Sequence, residues 1–393
     1  MTGAGRMLWI GVVIWAAAVA TEPMHARPAV AAPCRRCGWV PPATKKTMTV
    51  HTVGDLELAV QTASANTTIL IADGTYRLDR TLDVAVPRVV LRSESGDPAR
   101  VVLRGESMVE RRVGVALSIS APDVVVADLS IGDVGYHAVQ IRGESGASRA
   151  VLHNLRLSDT GEQIIKGSIS DNGRTADDDL VACSVLGYTD AAPSDYTDGI
   201  DVIAGRRWTV RDNRFERIRG PRDRRYSAGP AIVFWGHSQG TVIERNLVLD
   251  SFRGIALGLV PTLDAHKGAT APIPDHDAGV VRGNVVWNLN HWADEGIELN
   301  GAARSRIERN TVLVEGSLGW SISVRFPLSD AVVVDNLTNR RIVTRDQGRA
   351  TASGNIDDAE SSWFADSARG DLRVVAGRVP SGVGAAPPAG AWP

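Results

Sequence analysis

Three cysteines in 393 residues leave no basis for a disulfide scaffold. Lysine is almost as scarce: Lys45, Lys46, Lys166 and Lys267 stand among 43 basic residues, so a lysine inside the fold is unusual here. Charge of one sign is missing too. The 43 Lys and Arg nearly balance 45 Asp and Glu, for a net charge of −2, which excludes a polybasic nucleic-acid or membrane-surface binder. One long apolar run exists, Met7 to Ala20. Its 14 residues fall short of the ~20 that span a bilayer. Arg6 precedes it and small-x-small sites follow at Ala18-Val19-Ala20 and Ala29-Val30-Ala31, so 1–32 reads as a signal peptide with its cleavage region. The protein is expected to be secreted or periplasmic, not membrane-spanning, and monomeric, with no nucleic-acid partner. Cys34-Arg35-Arg36-Cys37 reads as a local disulfide in a flexible segment, 33–49, and Cys183 as a buried thiol.

Hydrophobic residues, at 44%, are sufficient for a core, and they recur in a pattern. Val210-Arg211-Asp212-Asn213, Ile243-Glu244-Arg245-Asn246, Val281-Arg282-Gly283-Asn284, Ile307-Glu308-Arg309-Asn310 and Val333-Val334-Asp335-Asn336 repeat one element, with asparagine spacings of 33, 38, 26 and 26. Asn154 begins the series, and Cys183 is read as standing in the asparagine's place one rung on. A second strand repeats in step: Ile200-Asp201-Val202, Ile232-Val233-Phe234, Ile255-Ala256-Leu257, Ile297-Glu298-Leu299 and Ile322-Ser323-Val324. Period-two alternation marks strands with one buried face, and a unit this short buries that face only by stacking on its neighbours. Asparagine tolerates the left-handed turn, and its amide can bond up a stack. Propeller blades need ~40–45 residues, more than the shortest spacing here. The expected fold is all-β, a right-handed parallel β-helix over 50–375. A helix within Gly54 to Ala65 should cap the first rung, and a Pro-rich tail, 376–393, reads as disordered.

The segment Ile69 to Tyr76, followed by Pro87 to Leu91 and Ser95-Gly96-Asp97-Pro98, resembles the entry rungs of the pectate-lyase-like β-helix superfamily. That resemblance implies the fold and leaves the reaction open, since the superfamily hosts lyases, hydrolases, epimerases and non-enzymatic proteins.

With the isoleucines inward, the residues between them should stack outward in rows. Aligning Ile165 with Ile141 gives one row of Gln140, Ile164, Asp201, Val233, Ala256, Glu298 and Ser323. The next row is then Arg142, Lys166, Ile203, Trp235, Gly258, Asn300 and Arg325. Such a row suits an extended polymer.

Gly161-Glu162-Gln163-Ile164-Ile165-Lys166-Gly167-Ser168 resembles the catalytic strand of chondroitinase-B-like and alginate-lyase-like polysaccharide lyases, with one acid where that strand normally carries two. The resemblance implies an acidic, uronate-containing polysaccharide as partner, cleaved by β-elimination with Lys166 as base. The proton beside a uronate carboxylate becomes acidic when that carboxylate is neutralised, and a lysine serves as base when burial and nearby positive charge lower its pKa. Arg325 or a cation would neutralise the carboxylate, with Asp201 and Glu298 as further catalytic candidates. Glu162, Asp198 and Asp201 are the candidate ligands for Ca²⁺, which prefers oxygen donors. Arg142, Trp235, His237, Asn300 and His276 are candidate substrate contacts. Asp195-Tyr196-Thr197-Asp198-Gly199-Ile200-Asp201 also resembles the Asn-Thr-Asp-Gly region of polygalacturonase-like hydrolases, although the next rung, Pro230 to Trp235, lacks the partner acid. The alternatives are therefore a glycoside hydrolase using Asp pairs, or a non-catalytic carbohydrate-binding or cell-envelope solenoid.

Overall fold

The computed structural model describes residues 38–259 and 272–385. The signal region, Cys34, Cys37 and the last eight residues of the tail lie outside them. Among the described residues, three long sheets run the length of the chain: one of twelve strands from Lys46–Val50 to Arg349–Ser353, one of ten from Gly74–Arg77 to Leu337–Thr338, and one of ten from Leu82–Val84 to Arg341–Arg345. Successive coils add one strand to each, every pairing is parallel, and the inward residues form one continuous core. Val139, Ile165, Ile200, Ile232, Ile255, Ile297 and Ile322 lie side by side, each fully buried. Gly167 shares that interior, where a Cβ would press on Val202 and Trp208; its missing side chain makes room for the buried indole, whose Nε1 donates to the Ala176 carbonyl at 2.7 Å.

The helix Val53–Thr62 closes the first coil. Thr52 caps it, accepting from the Asp55 amide, and Leu56, Ala59 and Val60 turn onto the core. At the other end the antiparallel pair Phe364–Asp366 and Asp371–Val374 folds back on the outside of a ten-stranded sheet. The tail differs from its reading as disordered through residue 385: Gly384 and Ala385 donate backbone hydrogen bonds to the Asp335 carbonyl and the Thr311 hydroxyl.

The asparagines form one ladder. The amide Nδ2 of Asn213 donates to Asn246 at 3.1 Å, Asn246 to Asn284 and Asn284 to Asn310 at 3.0 Å, and Asn310 to Asn336 and Asn336 to Asn355 at 2.9 Å. The left-handed residue is the one before each asparagine: Asp212, Arg245, Gly283, Arg309 and Asp335 all have positive φ. Asn154 and Cys183 occupy that turn position instead. Ser184, not Cys183, takes the ladder site, donating its amide to Asn213 Oδ1 at 2.9 Å. Cys183 is disulfide-bonded rather than a free thiol. Of the segment read as flexible, Trp39 lies against the twelve-stranded sheet, stacked on His153 at 4.6 Å beside Val90, Val125 and Ala127.

Candidate active site

The outward row of the sheet that ends at Arg341–Arg345 reads Gln140, Lys166, Asp201, Val233, Ala256, Glu298, Ser323. Lys166 therefore belongs to the row expected for Asp201, because Ile165 pairs with Val139 and not with Ile141. Its Nζ donates to Asp201 Oδ2 at 2.7 Å, with only 11% and 6% of the two side chains exposed. Asp201 Oδ1 accepts from Trp235 Nε1 at 2.7 Å, so the indole reaches back across the face and fixes the carboxylate. Asp198, at the head of the same strand, lies beneath Gly229, where any Cβ would fall 1.8 Å from its Oδ1. Burial, and then the Asp201 charge, push the Asp198 carboxyl well above the usual range, against the opposing pull of Lys166.

Sequence reasoning missed His137. Its Nδ1 donates to the Gln163 carbonyl at 2.9 Å, and burial drives it down to about 4, with Lys166 adding to the effect. It is a neutral imidazole in the field of Lys166 and Asp201. Only its position two residues before Val139, on the strand below Lys166, could have marked it.

Glu298 lies on the same face but apart. Three strand spacings separate it from Asp201, about 14 Å at ~4.8 Å per strand. Arg253 stands between the groups, 3.3 Å from Glu298 and bonded to Asp294 at 2.7 Å, and its charge is felt by Asp198. Glu295, next to Glu298, is 2% exposed; burial and then the Glu298 charge push it up to about 8. Arg345 lies 3.6 Å from Glu295, with its guanidinium 4.9 Å over the Trp320 ring. Arg325 is five strands from Lys166, about 24 Å, and is bonded to Asp346 at 2.9 Å. The expected single convergence is thus two clusters, and Arg325 is too far along the solenoid to neutralise a carboxylate held at Lys166.

Glu162 is half-buried, raised by burial and opposed by the charges of Arg111 and Lys166. It does not join Asp198 and Asp201: no group of three His, Cys, Asp or Glu assembles for a metal among the described residues. The Lys166 ammonium already occupies the Asp201 oxygen a cation would need. The donor set therefore does not fit the expected Ca²⁺ site.

Arg142 is turned to Glu144 at 3.1 Å, and His237 Nδ1 donates to the Pro274 carbonyl at 2.8 Å. His276, expected as a substrate contact, is fully buried in a small parallel sheet with Ser238–Gln239 and Ala302–Ala303. There its Nε2 meets the Thr241 hydroxyl at 2.9 Å, and burial pushes it down to about 3. Asn300 is buried, and its Oδ1 has no partner.

Parallel coils that each add one strand to three sheets, with one outward row on one of them, define a right-handed parallel β-helix. The sequence matches no family model and no curated protein. Solved structures similar to it include pectate lyase Pel9A, with a TM-score of 0.60 and 12% identity over 85% of this chain and 90% of that one. An alginate lyase from Paenibacillus sp. has a TM-score of 0.54 and 16% identity over 79% of this chain and 99% of that one. The tailspike of E. coli bacteriophage HK620, solved with a pentasaccharide, has a TM-score of 0.53 and 9% identity over 81% of this chain and 60% of that one. At these identities the likeness is one of fold.

Proposed function

We propose that the chain is an exported enzyme that cleaves an acidic polysaccharide by β-elimination at the Lys166–Asp201 pair. The observation that carries this is the 2.7 Å contact itself, placed outward on a solenoid face and held by Trp235. The likeness in fold to an alginate lyase and a pectate lyase supports the substrate class. A bound polymer excludes water from the pair, and in a drier site a neutral amine and carboxylic acid compete better with two separated charges. The Lys166 proton then passes to Asp201, and the free amine takes the proton beside the uronate carboxylate. The C–O bond to the neighbouring sugar breaks as the double bond forms, and the departing oxygen takes the proton held by Asp201, which restores the ion pair. His137, neutral and hydrogen-bonded through Nδ1, contributes no competing charge.

A second reading has one specific observation behind it. Burial and the Asp201 charge raise the Asp198 carboxyl well above the usual range, and acid pairs pushed apart in this way also serve glycoside hydrolysis. Uronate polymers incubated with the protein separate the two. Elimination gives an ultraviolet-absorbing unsaturated end, whereas hydrolysis gives new reducing ends without absorbance.

The apolar run at Met7–Ala20 and the disulfide at Cys183 support export to an oxidising compartment. A secreted chain that starts after residue 20 and by residue 33 is the expected result of N-terminal sequencing; intact Met7–Ala20 in a membrane pellet refutes it.

A further inference from the structure

The second cluster on the groove face carries an unusual concentration of unmet polar atoms. Glu295 Oε1, Glu298 Oε1, Asn300 Oδ1, Trp320 Nε1, Ser323 Oγ and Arg345 Nε are all buried without a hydrogen-bond partner. They come from three adjacent strands and the turn before one of them. Arg253 is 3.3 Å from Glu298 Oε1 as a charge neighbour without bonding it. Ser323 and Trp320 face Glu295 closely enough to pull its acidity the other way, yet neither closes a bond of normal geometry. Buried donors and acceptors are normally paired, and six orphans in one place mark a site shaped for something that supplies both.

A hydroxyl group does so, since it donates one hydrogen bond and accepts two. The charges here are matched. Arg253 is taken by Asp294 and Glu298, and Arg325 and Arg345 by Asp346. A uronate carboxylate entering this end would meet acids whose guanidiniums are already committed, whereas an uncharged sugar would not. Trp320 and Arg345, both partly exposed, border the mouth. The site lies about 14 Å beyond Asp201 along the same face, within reach of one extended polymer.

We propose that this end of the groove recognises an uncharged sugar residue, so that the substrate of the Lys166 site is a mixed polymer of uronate and neutral sugar and not a pure uronan. This rests on the polysaccharide reading above. Glu295, holding its proton to about pH 8, adds a donor to the set.

The test is steady-state cleavage by the full chain of two polymers, a homopolymer of uronate and an alternating polymer of uronate and neutral hexose, using wild type, Asn300→Ala and Ser323→Ala. Ser323→Ala removes a single oxygen, and circular dichroism checks that both variants fold. The expected result is preference for the alternating polymer, with KM for it rising about tenfold in the variants, the worth of one lost hydrogen bond, at unchanged kcat. Equal cleavage of both polymers by wild type, or unchanged KM in both variants, overturns the proposal and leaves the lyase reading intact. If neither polymer is cleaved, the lyase reading fails, and calorimetric titration with alternating oligosaccharide decides this one. An affinity about tenfold weaker in the variants upholds it; equal affinity, or no binding to wild type, overturns it.

Discussion

Replacing Lys166 should damage the protein in two separable ways. Its ammonium lies 2.7 Å from Asp201 with both side chains nearly buried. Coulomb attraction at that distance is about 6 kcal/mol for an effective dielectric of ~20. Desolvation offsets much of this in the intact pair, but Lys166→Ala leaves Asp201 as an unmatched buried charge, at a cost of about 3–5 kcal/mol. An outward residue on a solenoid is ordinarily free of such a cost; this one is not. Removing both charges with Lys166→Met and Asp201→Asn should restore most of the stability, since the asparagine Oδ1 still accepts from Trp235. Urea unfolding followed by tryptophan fluorescence reads stability, and ultraviolet absorbance of the unsaturated product reads activity. Both variants should lose ~10²–10⁴ in rate, the usual cost of a missing general base. A double variant as unstable as Lys166→Ala refutes the ion-pair account. Activity that returns along with stability refutes Lys166 as the base.

Other outcomes follow from single features. Asn284 makes four ladder hydrogen bonds, with the Asn246 amide and side chain, the Ile243 carbonyl and Asn310, so Asn284→Ala should cost about 4 kcal/mol at ~1 kcal/mol each. Faster hydrogen exchange in the flanking strands checks this, and a loss under about 1 kcal/mol contradicts it. Glu295 is raised from 4.5 to about 8 in the folded protein, so the stability it confers is complete below pH 4.5 and is lost as pH climbs to about 8, with a ceiling of about 5 kcal/mol. Glu295→Gln should therefore melt higher than wild type at pH 8 and no higher at pH 4; an equal offset at both pH values counts against a buried neutral acid. Arg325→Ala should leave kcat on short uronate oligomers within about twofold, because five strands separate it from Lys166. A hundredfold fall would restore it to the chemistry.

The coils were legible because the same alternation recurs at every rung and the isoleucines fall on one line. Where in a strand the pairing begins was not. Val139 and Ile141 both point inward, so alternation alone cannot distinguish a register from its neighbour two residues away. That ambiguity moved Lys166 one row from Asp201 in the sequence reading, although both residues were singled out. The asparagine ladder was visible as a repeat, but the turn itself belongs to the preceding residue. Asn154 and Cys183 matched the motif one position early, and only backbone angles tell the two positions apart. His276 has the composition of a loop residue, and its burial comes from a small sheet formed by three distant segments. Glu298 was singled out in the sequence but Glu295 was not, because its environment is built by Arg345 and Trp320 from other coils.

Lys166 and Asp201 are 35 residues apart in sequence yet adjacent in register, so their separation is set by one backbone-bonded strand spacing. The geometry of the pair is therefore local to these two coils and the next, which supplies Trp235, and indifferent to how many coils follow. A whole coil beyond Trp235 could be duplicated or deleted without moving the pair's atoms, changing, in the proposed enzyme, only the length of polymer engaged and the chemistry of the far subsites. In a chain of this architecture the reacting centre and the choice of substrate are separate modules, open to alteration one coil at a time.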